Sequence, residues 1–561
     1  MEKQFDVIVL GGGLAGLTLS IQLKRSNPDI SILILEKREG EAPMAAHKVG
    51  ESTVELASHY FRNVLGMKDY LETHELPKHG LRAFFKSNNK NDITTRVELG
   101  PRRKLVVPSH QIDRGTFENY MIKHVQELGV KFLSGAIVKD FNLTKEGNTV
   151  TYKLNGEEHT VFGKWVVDAA SRAALIKRKL GFQKELDHNI NSVWWRVKSV
   201  VDVDTWTDNQ VWKSKLEPKL RYLSTVHFMD KGYWVWVIPL GTGCTSIGIV
   251  ADQDIHPLTS FNTYEKAMEW LKVNEPQVYS KLEPETPNVL DFMQLKHFAH
   301  NTTRMYSAEE RWGLTGESGA FLDPLYSPGS DFIALANTWL SDLVLRDVKG
   351  EDISVRAKVY EQAFLRQVEN WVPIYKNKYQ LLENSQIMVI KIFWDWAVYW
   401  SIHSLMFTNN GFVNLKLLKR LFGTENGLGD KLATLNMRMQ NMFVAWKPYQ
   451  TEIFENRYID PFDIRFMRAF QLGLEKVHET DQLLEAQLNE NLGILEQMAT
   501  CIFRLVSSQA KDTPVDMAIN PYTFDLENVN PNIIPDGAVT PAQNVVDDVS
   551  LLWFYEVNEM A

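Results

Sequence analysis

The chain has 561 residues, 44% apolar and 23% charged, with 61 Lys and Arg against 70 Asp and Glu for a net charge of −9. That length exceeds what one hydrophobic core organises, so two or three packed regions are expected, in a composition ordinary for a globular protein. The acidic balance argues against a nucleic-acid binder, because neutralising phosphates needs a basic face.

The opening "MEKQFDVIVLGGG" lacks the basic n-region of a signal peptide and runs straight into a strand-like segment. Residues 5–10, "FDVIVL", read as a buried parallel strand, "LAGLTLSIQLKRS" has helical periodicity, and "ISILILE" reads as a second buried strand. From Lys131 to Asp168 short alternating strands follow, with turn signals at "EGN" and "NGE" and an end at "WVVDAAS". Residues 190–250 stay strand-rich through "SVWWRVKSV", "LSTVHFMD", "YWVWVIPL" and "CTSIGIVA". Past about residue 345 the strand patterns nearly vanish, and amphipathic helix rich in aromatics takes over. The Pro/Asn-rich "NVNPNIIPDGAVTPAQN" reads as a surface tail, ordered or loose.

The longest apolar run, Ile387 to Phe407, is broken by Lys391, Asp395 and His403. A buried or partner-facing helix is expected there rather than a membrane span, with a peripheral membrane contact through its tryptophans as the lesser alternative. Cys244 and Cys501 stand in no metal-ligand spacing and build no disulfide framework. A reducing, cytoplasmic setting and no metal centre are expected.

Gly11, Gly13 and Gly16 have G-x-G-x-x-G spacing, follow a strand, open a helix, and precede Glu36, which ends the next strand 20 residues after Gly16. That context makes the motif a dinucleotide cradle. Gly11 permits the tight turn, Gly13 lets the backbone approach a pyrophosphate at the helix N-terminus, and Gly16 allows close helix–strand packing. Glu36 is placed to accept hydrogen bonds from ribose hydroxyls. No second fingerprint exists in the chain, so one dinucleotide is held; the motif alone does not say whether it is FAD or NAD.

Five further stretches join "GGGLAGLTLSIQL" in a resemblance: "KVGEST" (Lys48 to Thr53), "QIDRGTFENYM" with Arg114, "WVVDAASR" with Asp168, "YWVWVIPL", and "DPLYSPGSDFIA". Over about residues 1–345 the chain resembles the FAD-dependent monooxygenase superfamily of the hydroxybenzoate-hydroxylase type, and within it the flavin-dependent halogenases. The resemblance implies an α/β fold. A Rossmann-like FAD-binding domain would span 1–182 and 300–345, a β-rich substrate domain 183–299, and a helical C-terminal region with a loose tail 346–561. FAD would meet Gly11, Gly13, Leu14, Ala15 and Gly16 at the first turn, and Glu36 and Lys37 at the end of the second strand. Ser52, Arg114, Glu317 and Gly329 would complete the cofactor site.

Trp234, Trp236 and Pro239 match the W-x-W-x-I-P pattern that the family is thought to use to shield the flavin from direct substrate approach. The alternative is an aromatic strand whose tryptophans share one sheet face by the period of two. The implied chemistry uses reduced FAD and O₂ to turn halide into hypohalous acid. That acid reaches a buried lysine beside an electron-rich ring, the lysine acting as hydrogen-bonding acid or as nucleophile. Lys78, followed by His79-Gly80 and an aromatic strand, matches the family's lysine; Lys86, past that strand, is expected to be solvated.

The stretch "GESGAFLDPLYSPGSD" departs from the family three times. Glu317 replaces an aspartate of the ribityl motif. Tyr326 stands where tryptophan-specific halogenases carry a glutamate, so a phenolic, pyrrolic or carrier-tethered substrate is expected rather than free tryptophan. Pro328 replaces a Ser or Thr whose amide would face the halide, and proline has no N–H. The amides of Gly329 and Ser330 and the hydroxyls of Ser327 and Ser330 remain, at a helix N-terminus that still suits an anion. Two enzymatic readings stay open: a halogenase in secondary metabolism, or an FAD monooxygenase or dehydrogenase of the same fold without halide chemistry. A non-catalytic binding protein is a third. With one dinucleotide fold, reduced FAD is expected from a separate flavin reductase.

Overall fold

Buried on both faces, the run Val7–Leu10 forms the middle of strand β1 (Gln4–Leu10), as a near-continuous apolar strand in a parallel sheet should. The structure is a computed structural model and describes residues 4–43, 50–511, 518–527 and 535–555. Lys48 and Val49 of "KVGEST" and residues 528–534 of the Pro/Asn-rich segment lie outside the described residues.

Helix α1 (Leu14–Ser26) and strand β2 (Ile32–Glu36) complete the first βαβ unit. From one edge the sheet runs Tyr306–Ser307, Trp312–Leu314, Glu157–Asp168, β1, β2 and Lys131–Ser134. β1 lies parallel to both neighbours, with Leu10 opposite Asp168 and Val9 opposite Ile34. The turn at Asn155–Gly156 folds Asn148–Leu154 back antiparallel on Glu157–Asp168.

Strand β3 (Leu76–Lys78) pairs with Ser109–Gln111, and strand β4 (Leu81–Phe85) joins a second, larger sheet. Its order is Val289–Leu295, Ile190–Val197, Thr245–Asp252, Tyr233–Pro239, Thr225–Asp230, β4, Glu98–Leu99 and Tyr458–Ile459. The sheet therefore draws strands from both sides of the 183–299 segment. Its side chains alternate between two cores. Val193, Trp195, Tyr233, Val235 and Val237 pack under the helices Tyr264–Asn274 and Pro276–Leu282, whereas Trp194, Trp234 and Trp236 face the other way, toward the first sheet.

Helix Gly329–Val348 locks the βαβ unit from far along the chain. Its Asn337 amide donates to Ala15 O at 3.1 Å, Thr18 Oγ1 at 2.9 Å and the Tyr60 hydroxyl at 3.2 Å. Helices predominate from there on. The run Ile387–Phe407 forms one buried helical path, Ser385–Val398, a π-helical stretch Tyr399–Ser404 and Leu405–Thr408, with Lys391 paired to Asp395 at 2.5 Å. Among the described residues no helix is long and apolar enough to cross a membrane. The end of the chain is not a loose tail where it is described. Val539 pairs with Ile519, Leu552 and Phe554 are buried, and Trp553 stacks on Trp446 with centroids 5.5 Å apart.

Candidate active site

Two cavities meet at the start of helix Gly329–Val348. The larger, about 340 Å³, lies between the glycine turn and the tryptophan face of the second sheet, a size typical of ligand pockets. The smaller, about 90 Å³, opens among the C-terminal helices.

The glycine turn is built as its spacing required. Gly11 has φ +111°, and a Cβ there would come within 2.5 Å of Ala169 O; a Cβ on Gly16 would sit 2.2 Å from Gly11 O. Gly13 is the N-cap of α1, and no side chain caps the helix. The first-turn amides, which have no partner within a helix, are free to receive an anion where Gly13, Leu14 and Ala15 line the larger cavity. Glu36 stands behind the turn, accepting from Gly12 N–H at 2.7 Å and Arg38 N–H at 2.9 Å. Lys37 is exposed and lines neither cavity.

Ser52, Arg114, Glu317, Ser327, Gly329 and Ser330 also line the larger cavity. Glu317 accepts from Ser171 Oγ at 2.8 Å, so its longer carboxylate still reaches the cavity wall. Trp234 and Trp236 cover the opposite side. Their indole N–H groups are tied back, Trp234 to the Tyr379 hydroxyl at 2.9 Å and Trp236 to Ser246 Oγ at 3.1 Å. Tyr379 donates in turn to Asp323, 2.8 Å away, which also holds His188 and caps Leu325 N–H. Pro239 ends the strand and lines neither cavity. Asp168 receives N–H bonds from Ala170 and Ile176 and a hydroxyl from Ser318, and so pins the turn below the cavity.

Lys78 lines the smaller cavity while its partner Ser52 lines the larger, and the Pro328 turn is shared between the cavities in the same way. Ser327, with φ +58°, faces the larger cavity, and Pro328 faces the smaller. Tyr326 lines the smaller cavity and donates to Asp395 Oδ2 at 2.8 Å. Lys78 is buried; its Nζ donates to Ser52 Oγ at 2.8 Å and to Thr53 O at 2.7 Å. An ammonium has three donors, so one is left for a small molecule. Burial lowers the Lys78 ammonium to about 8, against the pull of Glu55 and Asp331. Lys86 is instead paired with Glu383 at 3.1 Å and lines neither cavity.

Sequence reasoning missed Glu55 and Asp331. Glu55 opens helix α2 (Glu55–His59), two residues past the "GEST" stretch, and faces the smaller cavity. Asp331 lies in the first turn of Gly329–Val348, accepting from Ala57 N–H at 2.9 Å and from the Tyr399 hydroxyl at 2.8 Å. Burial raises its carboxyl to about 7. No spacing in the sequence joins residues 55, 78 and 331; their adjacency exists only in the folded chain. Trp371, Tyr375, Trp396, Tyr399, Trp400 and Phe462 wall the rest of the smaller cavity. Aromatic walls with a few convergent polar groups are what a flat, apolar ring requires.

Residues 4–246 match the family described as FAD binding domain. The flavin-dependent halogenase chlA of Dictyostelium discoideum is 26% identical over 436 residues, covering 71% of this chain and 70% of that protein. A chlorinase of 1H-pyrrole-2-carbonyl carried on a peptidyl-carrier protein, from Pseudomonas fluorescens, is 24% identical over 404 residues, covering 68% of this chain and 84% of that one. Among solved structures, halogenase PltM in complex with phloroglucinol and FAD superposes with a TM-score of 0.60 at 16% identity, over 87% of this chain and 96% of that one.

Proposed function

We propose that this chain is a flavin-dependent halogenase of the FAD-binding monooxygenase superfamily and that it halogenates an electron-rich aromatic, phenolic or pyrrolic, free or borne on a carrier; the FAD-binding match over residues 4–246 and the halogenase relatives at 24% and 26% identity support this reading. The observation that carries this reading is Lys78, buried beside the smaller cavity with its partner Ser52 on the larger and one donor to spare.

The larger cavity fits FAD on the chemistry of its wall: uncapped helix amides to donate to the pyrophosphate, the Arg114 guanidinium, and the Glu317 carboxylate to accept from hydroxyls, with Glu36 bracing the glycine turn from outside the cavity. Bound there and reduced, FAD supplies the two electrons that let O₂ convert halide to hypohalous acid. The amides of Gly329 and Ser330, at the positive end of a 20-residue helix, would hold the halide. Trp234 and Trp236 keep the organic substrate off that side. Lys78 receives hypohalous acid through its free N–H and polarises the halogen toward a ring in the smaller cavity.

The test is turnover with FAD, a flavin reductase, NADH, O₂ and bromide or chloride, offered phenols, pyrroles and indoles, with mass spectrometry of the products. Halogenated product that disappears in Lys78→Ala supports the reading. Oxygenated product formed without halide would replace it with the monooxygenase reading, which the missing Pro328 amide favours. The reductase is proposed as a separate protein; rapid NADH or NADPH oxidation by this protein with FAD alone would refute that.

A further inference from the structure

The smaller cavity contains a carboxylate that halogen delivery does not use. Glu55 and Lys78 reach this cavity from different elements, α2 and β3. Lys78 spends its protein hydrogen bonds on Ser52 and Thr53, not on Glu55, although the two charges feel each other across the space. An acceptor and a donor therefore face one aromatic-walled space without closing on each other. Such a pair is suited to a ring with a hydroxyl at one edge and a reactive carbon at another.

On the halogenase reading above, we propose that Glu55 is the general base of the reaction and that the substrate is a phenol whose hydroxyl it deprotonates. Pyrrole and indole have no such proton to surrender to a carboxylate, and a phenolate ring attacks electrophiles far better than its neutral form. Glu55 takes the O–H proton. The ring carbon forms a bond to the halogen of hypohalous acid as the O–halogen bond breaks. The departing hydroxide takes a proton from the Lys78 ammonium and leaves as water. The ring C–H proton then passes to the neutral Lys78 amine, and Glu55 returns its proton to the phenolic oxygen. Phenol and hypohalous acid give halophenol and water, with both side chains restored.

The charges around Glu55 tune it for this. Asp331 faces it from helix Gly329–Val348 and Tyr399 from the π-helical stretch, while Trp400 and Gln471 lie within its hydrogen-bonding reach. Asp395 and His403 line the same cavity. Burial raises the Glu55 carboxyl and Lys78 draws it back down, a balance that moves a carboxylate toward the working range of a base. Glu55 in turn helps to raise the Asp331 carboxyl, so the two groups interact as like charges.

The decisive experiment compares wild type, Glu55→Gln and Asp331→Asn on a phenol, on a fluorinated phenol already ionised at the assay pH, and on pyrrole. A hypohalous-acid scavenger runs in parallel. Glu55→Gln should lose at least about 100-fold in kcat on the ordinary phenol and keep scavenger halogenation, flavin content and KM within a few-fold. The pre-ionised phenol should restore most of the rate, which a merely structural role would not allow. Asp331→Asn should move the acid limb of the pH profile to lower pH. Without turnover, ¹⁹F NMR of a bound fluorophenol should show it ionising at higher pH in wild type than in Glu55→Gln, because a carboxylate touching the hydroxyl opposes a second negative charge beside it. Undiminished phenol turnover by Glu55→Gln, equal loss on both phenols, or wild-type halogenation of pyrrole but no phenol would overturn the inference and leave the halogenase reading standing. A wild type that halogenates neither scavenger nor substrate would overturn both.

Discussion

Burial puts Lys78 and Asp331 at opposite ends of one proton ledger. Lys78 loses its proton near pH 8 rather than near 10.5, so halogenation that depends on the ammonium should decline as pH rises through about 8. Lys78→Ala should fall at least about 100-fold in product and its residual rate should show no alkaline limb; a pH profile of kcat for both proteins checks this. Asp331 works the other way. Its carboxyl is raised from 3.8 to about 7, so between those values the folded protein keeps a proton that the unfolded chain has released. Stability from this group is full below the lower value and is lost as pH rises through the upper one. Asp331→Asn removes the charge; its Oδ1 can still accept from Ala57 N–H, while its NH₂ can only donate to the Tyr399 oxygen, whose own proton must turn away. Its Tm should exceed that of wild type at about pH 8 and converge with it near pH 4, measured by calorimetry. At this scale the sequence was informative where a residue's role is local. Gly16 answers to Gly11 O within its own turn and Gly11 to the positive φ that the turn demands, and Lys78 could be matched by its neighbours in the chain. Glu55 and Asp331 could not, because each acquires its role from partners far away in sequence.

Among the elements, the helix Gly329–Val348 does three things at once. Its first turn divides the cavities, its Asp331 holds Ala57 and Tyr399, and its Asn337 clamps α1. Pro328 is its N-cap, with φ −77° and no cap hydrogen bond from a side chain, a conformation serine also adopts. Pro328→Ser restores a backbone donor beside Gly329. A hydrogen bond to an ion contributes about 1.5–3 kcal/mol, so the halide KM should fall about tenfold or more while the KM for the aromatic stays put. The exchange costs about 0.4–1 kcal/mol of stability through the freer unfolded chain. An unchanged halide KM would mean that the anion does not sit at this turn. The β1–α1–β2 unit was legible because its apolar runs and glycine spacing are contiguous. The placement of β4 in the second sheet was not: a parallel pairing of Leu81 with Thr225 leaves no trace in either segment alone.

Across the whole molecule, the C-terminal helices supply the smaller cavity with most of its wall, so the substrate side is made by the part of the chain that lies beyond the FAD-binding match. Their aromatic richness was visible in the sequence; that it was concave was not. The same walls carry a liability. Trp371, Trp396 and Trp400 are themselves electron-rich rings lining the space into which the proposed reaction would release an electrophilic halogen. With the pocket empty, these indoles and the phenols of Tyr326, Tyr375 and Tyr399 are the rings on offer, and the protein would become its own casualty. Reduced FAD, O₂ and halide supplied without substrate should mark these indoles, found by peptide mass spectrometry, with activity decaying in step. Substrate present from the start should spare them. The working life of this protein is then set less by how firmly it folds than by how seldom it fires unloaded.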